Sequence, residues 1–232
     1  MDGWSVGDRL KNLTERMARS AERAGRNPQS VRLLAVSKKQ PLHKIREAYQ
    51  AGQMDFAENY VQEAVEKLDQ LRNLPVHWHF IGRIQSNKVR MLAGRFAAIH
   101  SVERENIAEA LNRLSSQAPQ KIFLQFNVAE ESSKGGALED DLSRLFEDVL
   151  PLTHLQMMGL MVMPPLFDAA ERTRPLFQRA RKKLEHLQSQ IPSHLKSHHP
   201  FDQLSMGTSA DFEVAIEEGA TWVRIGSELF GA

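Results

Sequence analysis

Lys38 ends the short apolar run Leu33-Leu34-Ala35-Val36-Ser37 and is followed by Lys39, Gln40 and Pro41. A lysine ammonium readily loses its proton once desolvated, so a lysine at the rim of a fold can serve as a nucleophile for Schiff-base chemistry. Arg224 lies in a second apolar run, Trp222-Val223-Arg224-Ile225, where a guanidinium is costly without a partner. Two further stretches, Ser205-Met206-Gly207-Thr208-Ser209 and Gly226-Ser227, carry hydroxyls and backbone N–H groups of the kind that cradle a phosphate without lysine.

The elements that must position these groups follow from periodicity. Val6, Leu10, Leu13, Met17, Ala21 and Ala24 form one face of a leading helix, opened by Ser5 with Asp8 three residues on and stopped near Gly25. Strands are predicted at 33–37, 54–57, 76–81, 96–99, 122–128, 155–162, 203–205 and 221–225. Helical segments intervene, among them one from Pro41 to Gly52, one carrying Val61, Ala64, Leu68 and Leu71, and one capped by Ser209 and ending at Gly219. A short helix from Ser86 to Gly94 follows the third strand.

Eight βα units behind one leading helix predict a single (β/α)8 TIM barrel spanning residues 1–232. An open doubly wound sheet fits less well, because no Gly-x-Gly-x-x-Gly turn follows the first strand. In a barrel the strand ends share one face. They present Lys38, Glu58-Asn59-Tyr60, His79 with Gly82, His100, Asn127, Met161, Ser205 to Ser209, and Arg224 with Gly226 and Ser227. The seventh and eighth loops are where barrels commonly hold phosphate. A lysine, an arginine and a phosphate cradle on one rim are what pyridoxal 5′-phosphate requires: an amine for the aldehyde, a partner for the pyridine nitrogen, and loops for the phosphate.

Composition narrows the remaining possibilities. The 232 residues carry 30 basic and 29 acidic side chains, without the basic excess of many nucleic-acid binders. There is no cysteine, which removes disulfides, thiolate metal sites and cysteine nucleophiles. The first residues are charged where a signal peptide is apolar, and no apolar stretch approaches the roughly 18 residues of a membrane span. A soluble cytoplasmic protein is expected, with neither nucleic acid nor membrane as partner.

The chain resembles the pyridoxal phosphate homeostasis proteins along nearly its whole length. The matching motifs are Leu34-Ala35-Val36-Ser37-Lys38, Glu58-Asn59-Tyr60-Val61-Gln62-Glu63, Trp78-His79-Phe80-Ile81-Gly82 with Gln85-Ser86-Asn87-Lys88, Gly159-Leu160-Met161, Leu204-Ser205-Met206-Gly207, and Val223-Arg224-Ile225-Gly226 with Phe230-Gly231. The resemblance implies the barrel of alanine racemase, a fold-type III pyridoxal phosphate barrel. It further implies that Lys38 holds the cofactor as a Schiff base, that Arg224 approaches the ring nitrogen, and that Asn59 lies by the ring. Ser205, Met206, Gly207, Gly226 and Ser227 would then surround the phosphate. The chain departs from the family pattern at Lys39, Ala57, Arg83, Thr208 and Phe212, none of which removes a group the cofactor needs.

A racemase of this barrel type also needs a second acid/base, a tyrosine from an additional domain. Only Tyr49 and Tyr60 are present, and an arginine at the ring nitrogen weakens the electron sink that an aspartate would strengthen. The expectation is a monomeric carrier that buffers pyridoxal phosphate and delivers it to apo-enzymes. The alternatives are a racemase or related enzyme of low activity and a lysine aldolase barrel. His77 with His79, and His194 with His198, have spacings that zinc can use, but the first pair has no evident third ligand and the second sits in a polar loop. Gln125 and Asn127 share one strand face that suits a polar interior.

Overall fold

The computed structural model describes residues 3–131 and 134–231. Eight parallel strands close into a barrel in sequence order: β1 Arg32–Val36, β2 Asp55–Glu58, β3 His77–Phe80, β4 Ala98–Val102, β5 Gln120–Phe126, β6 Leu155–Val162, β7 Gln203–Ser205 and β8 Trp222–Ile225. The helices are α1 Val6–Arg23, α2 Leu42–Gln50, α3 Val61–Gln70, α4 Glu105–Leu114, α5 Glu139–Val149, α6 Arg174–Ser189, α7 Phe212–Glu217 and α8 Ser227–Phe230. A 3-10 turn, Ser86–Met91, replaces the helix after β3.

Helix α1 begins with the expected reciprocal cap. The Ser5 hydroxyl accepts the Asp8 N–H (3.1 Å), and the Asp8 carboxylate accepts the Ser5 N–H (3.0 Å). Its apolar stripe, Val6, Leu10, Leu13, Met17 and Ala21, is buried, and the helix packs across α2, α7 and α8. Leu13 is 1% exposed, so truncating it to alanine costs about 2–5 kcal/mol. Arg16 pairs with Glu213 and Glu228, and Lys44 Nζ donates to the Phe230 carbonyl (2.6 Å). These contacts bind both ends of the chain over the seam where β1 pairs with β8, Leu34 opposite Arg224.

Apolar residues form two clusters. The larger fills the space between the helices and the outer face of the barrel. The smaller, Leu34, Ala57, Ala98, Phe123, Met161 and Trp222, lies inside the barrel with Val36, Ile81 and Met158. Strand side chains alternate, so two further steps along each strand identify the inward position at its end. Lys38 follows Leu34 and Val36, Asn59 follows Ala57, and Gly226 follows Trp222 and Arg224.

Three local expectations are corrected. The fourth strand spans Ala98–Val102 rather than 96–99, which moves His100 from a strand end into its middle. A histidine reads as the close of an apolar run, but inside this barrel it has hydrogen-bond partners and is tolerated. Asp211, not Ser209, is the residue before α7: its carboxylate accepts both the N–H and hydroxyl of Thr208 (2.7 and 2.9 Å). The eighth strand is also followed by the short α8, opened at Gly226.

Candidate functional site

At the top of β1 the chain turns over Ser37 to Gln40, closed by the Gln40 N–H on the Ser37 carbonyl (2.9 Å). Lys38 is exposed on this turn, and Lys39 has the left-handed φ of 60°. The turn is held from beneath by a buried ionic cluster. Lys67 Nζ donates to the Ser37 carbonyl (2.6 Å), Glu58 Oε1 (2.8 Å) and Glu63 Oε1 (2.7 Å). The Ser37 hydroxyl donates to Glu58 Oε1 (2.6 Å), and the Lys39 N–H to Glu63 Oε1 (2.6 Å). Burial pushes the Glu58 carboxyl above its usual range, against the pull of Lys67 and Ser37. Lys67 was not anticipated; its signal is the Glu63–Lys67 spacing of four on one helix face, which also describes ordinary surface pairs.

Asn59 stands on the inward position after β2. Its Oδ1 is buried without a hydrogen-bond partner among the described residues, a state that costs about 1–3 kcal/mol. Gly82 crosses directly over its backbone: a Cβ there would sit 1.8 Å from the Asn59 carbonyl oxygen, so no other residue fits.

Arg224 is fully desolvated, which lowers its guanidinium to about 10. No carboxylate is in contact with it among the described residues, although Asp211 acts at longer range. Nη1 donates to the Ser205 carbonyl (2.6 Å) and hydroxyl (3.1 Å), and Nη2 to the Val162 carbonyl (2.9 Å). Of the five N–H groups a guanidinium carries, those on Nε and one on Nη2 are left for another acceptor. Ser205 is therefore brought to Arg224, with its hydroxyl turned into the barrel.

The loops after β7 and β8 come within glycine distance of their surroundings. Gly207 has φ +91°, and a Cβ on it would lie 2.6 Å from Ala215 Cβ. A Cβ on Gly226 would lie 3.2 Å from the Val36 carbonyl oxygen at the top of β1. The Gly226 carbonyl accepts the Leu229 and Phe230 N–H groups (3.0 and 2.9 Å), and Ser227 is exposed at the head of α8. Met206 sends its side chain into the outer core, and its N–H donates to the Trp222 carbonyl (3.0 Å).

Other candidates separate from this rim. His77 and His79 both contact Asp55 at the opposite end of the barrel, and His198 donates to the Leu155 carbonyl (2.8 Å). No group of three metal-ligating side chains occurs among the described residues. Gln125 and Asn127 are buried, and Asn127 braces the Glu131 backbone on both sides. A cleft of about 520 Å³ between Arg83, Glu103, Lys134 and Arg144 lies over the β3 to β5 loops. It does not include Lys38 or Arg224. No helix among the described residues is long and apolar enough to cross a membrane.

The alanine racemase N-terminal domain family matches residues 9–232. A pyridoxal phosphate homeostasis protein of Pseudomonas aeruginosa is 44% identical over 230 residues, 98% of this chain and 96% of its own. One from Escherichia coli K12 is 39% identical over 233 residues, with the same shares. The structure of PipY from Synechococcus elongatus PCC7942, solved with PLP bound, matches with TM-score 0.83 at 39% identity, over 98% of this chain and 100% of that one. Alanine racemase from Corynebacterium glutamicum, 14% identical, shares the fold at TM-score 0.68 over 96% of this chain and 61% of its own.

Proposed function

The chain belongs to the alanine racemase N-terminal domain family and, within it, to the pyridoxal phosphate homeostasis proteins, and on that premise we propose that its upper rim binds pyridoxal 5′-phosphate through Lys38 and holds it for delivery rather than turnover. The observation that carries this reading is the desolvated Arg224, with two N–H groups to spare on the strand paired to β1. The orphaned Asn59 Oδ1 and the glycine-lined loops at Gly207 and Gly226 fit the same group.

Bound there, the cofactor supplies an aldehyde and, when its ring nitrogen is protonated, an electron sink. Lys38 is the amine that tethers the aldehyde. Arg224 would donate to the ring nitrogen and so keep it unprotonated, which would weaken the sink and disfavour catalysis. Asn59, whose Oδ1 has no partner among the described residues, would lie by the ring, and the backbone of Gly207 and Gly226 with Ser227 would hold the phosphate. Ser205 acts by orienting Arg224, and Met206 by setting the β7 loop from the outer core. Neither tyrosine stands as an obvious second base: Tyr49 packs into the outer core from α2, and Tyr60 is the exposed residue before α3.

The test is the visible absorbance of the purified protein charged with pyridoxal phosphate. Borohydride should fix the added mass on Lys38, and Lys38→Ala should remain colourless. A wild-type protein that cannot be charged overturns the binding. Sustained turnover of a D- or L-amino acid, lost in Lys38→Ala, overturns the carrier reading. Delivery is checked by activation of an apo-enzyme by the charged protein with free cofactor trapped.

A further inference from the structure

The interior of the barrel contains a file of polar side chains that the upper rim does not account for. At the basal mouth, where the strands begin, a cavity of about 280 Å³ is lined by Arg32, Asp55, His77, Lys121 and Gln203 above Trp222. There Asp55 Oδ1 meets His77 Nδ1 (3.0 Å) and His79 Nε2 (3.3 Å). His79 Nδ1 lies 3.0 Å from His100 Nε2, and His100 Nδ1 lies 3.0 Å from the Ser205 hydroxyl, which is 3.1 Å from Arg224 Nη1. His100 is fully buried and stacked on Phe123, ring centres 4.1 Å apart, while Trp222 packs against both imidazoles.

The two ends of this file fix its direction. A guanidinium only donates, so the Ser205 oxygen accepts from Arg224, and among the described residues the acceptor left within reach of the buried hydroxyl proton is His100 Nδ1. His100 must then carry its proton on Nε2 and donate to His79 Nδ1. His79 in turn carries its proton on Nε2 and donates to Asp55, a carboxylate that only accepts. Reversing both tautomers would set the His79 Nε2 lone pair against the carboxylate, and, with the Ser205 proton directed at His100 Nδ1, protonating either ring would set two donors face to face. Burial lowers the affinity of both imidazoles for a second proton, in keeping with the neutral forms this order needs. The titratable groups facing them are Asp55, His77 and Arg32 around His79, and His79 and Arg224 around His100.

We propose that Asp55, His79 and His100 form a one-directional hydrogen-bond relay that positions Arg224 from the opposite mouth of the barrel, making Asp55 a remote positioning residue for the cofactor's arginine. Among the described residues Arg224 touches no carboxylate, and the relay joins it to one through polarisable groups shielded from water. The tautomer order is independent of any ligand; only the consequence for the cofactor rests on the pyridoxal phosphate reading.

The experiment uses histidine labelled with nitrogen-15 in the cofactor-free protein. Long-range proton–nitrogen spectra near pH 7 should show His79 and His100 neutral, each with its proton on Nε2. In Asp55→Ala both sets of signals should move, His100 included although it does not touch residue 55, and Asp55→Asn, whose amide oxygen still accepts, should restore the wild-type order. A proton on His100 Nδ1 in the wild type, or His100 signals unmoved in Asp55→Ala, overturns the proposal. With the cofactor loaded, Asp55→Ala should release it about threefold faster or more, the scale of coupling within one hydrogen-bonded network. Lys121→Ala at the same mouth should release it at the wild-type rate, and equal rates in the two variants overturn the relay. The wild-type spectrum needs neither a variant nor a ligand. A protein that cannot be charged with pyridoxal phosphate therefore removes the binding reading and leaves the tautomer result standing.

Discussion

The two mouths of the barrel handle polar groups in opposite ways. At the base, Asp55 is shared by two histidines, Gln203 accepts the Trp222 indole N–H (2.7 Å), and His199 accepts the Met157 N–H (3.1 Å) while facing the Leu150 carbonyl. At the top, two adjacent residues of one strand end, Glu58 and Asn59, each leave a buried oxygen without a partner, and the only other such atom among the described residues is Ser115 Oγ beside α4. Closed polar accounts make a base that holds the fold. Open ones at the top cost stability, a cost that the proposed binding of a polar ligand there would recover.

This contrast can be broken or sharpened by substitution. The largest effect is expected from Lys38→Ala, which should abolish covalent cofactor loading by absorbance and mass while shifting the unfolding free energy by no more than about 0.5 kcal/mol, since the side chain is exposed. Lys67→Met removes the cation that braces the Lys38 turn and leaves Glu58 uncompensated, with an expected loss of about 3–5 kcal/mol near neutral pH in urea unfolding. The folded-state carboxyl of Glu58 is already raised, so the folded protein takes up its proton before the unfolded chain does. The deficit of the variant should shrink as pH falls towards the carboxylate range.

At the base the sign is reversed. Burial lowers His79, His100 and His199 below the ordinary histidine value, so between the folded and unfolded values the unfolded chain binds more protons. Their contribution is complete above about pH 6.5 and is lost as pH falls, by up to about 1.4 kcal/mol per pH unit for each group. Urea unfolding at pH 7 and pH 5 should show this loss, and His199→Gln should reduce it. The smallest effect is expected from Asn59→Ala: weaker cofactor binding by a few-fold, with cofactor-free stability unchanged or higher by about 1 kcal/mol, because an orphaned amide is removed. A clear loss of cofactor-free stability would place Asn59 with the closed base instead.

The alternation of strands and helices was legible because apolar periodicity is a local property, and β6 and β7 fall on their expected residues. The places of Lys38 and Arg224 on the first and eighth strands were legible because each interrupts or closes an apolar run, while their reading as one site came from the phosphate-type loops and the family motifs beside them. The support beneath them was hidden. His100 looked like a strand end because its polarity is compensated by Ser205, more than a hundred residues away. Lys67 looked like any helix-surface lysine until Ser37 and Glu58 from neighbouring strands were brought over it. Partners supplied by closure of the barrel leave no mark on the residues they satisfy.

The seam between β1 and β8 carries a consequence for how the molecule is made. Its strands lie far apart in the sequence, so ring closure has a high contact order and waits on the eighth strand. A nascent chain that has not yet reached Trp222 holds seven strands with two unpaired edges, the form most exposed to misassembly. Lys38 follows one seam strand and Arg224 lies in the other, so a ligand that engages both clasps the ring shut. By mass action it should slow the opening of the seam, and the pool of free ligand would then set the lifetime of the folded protein as well as its occupancy.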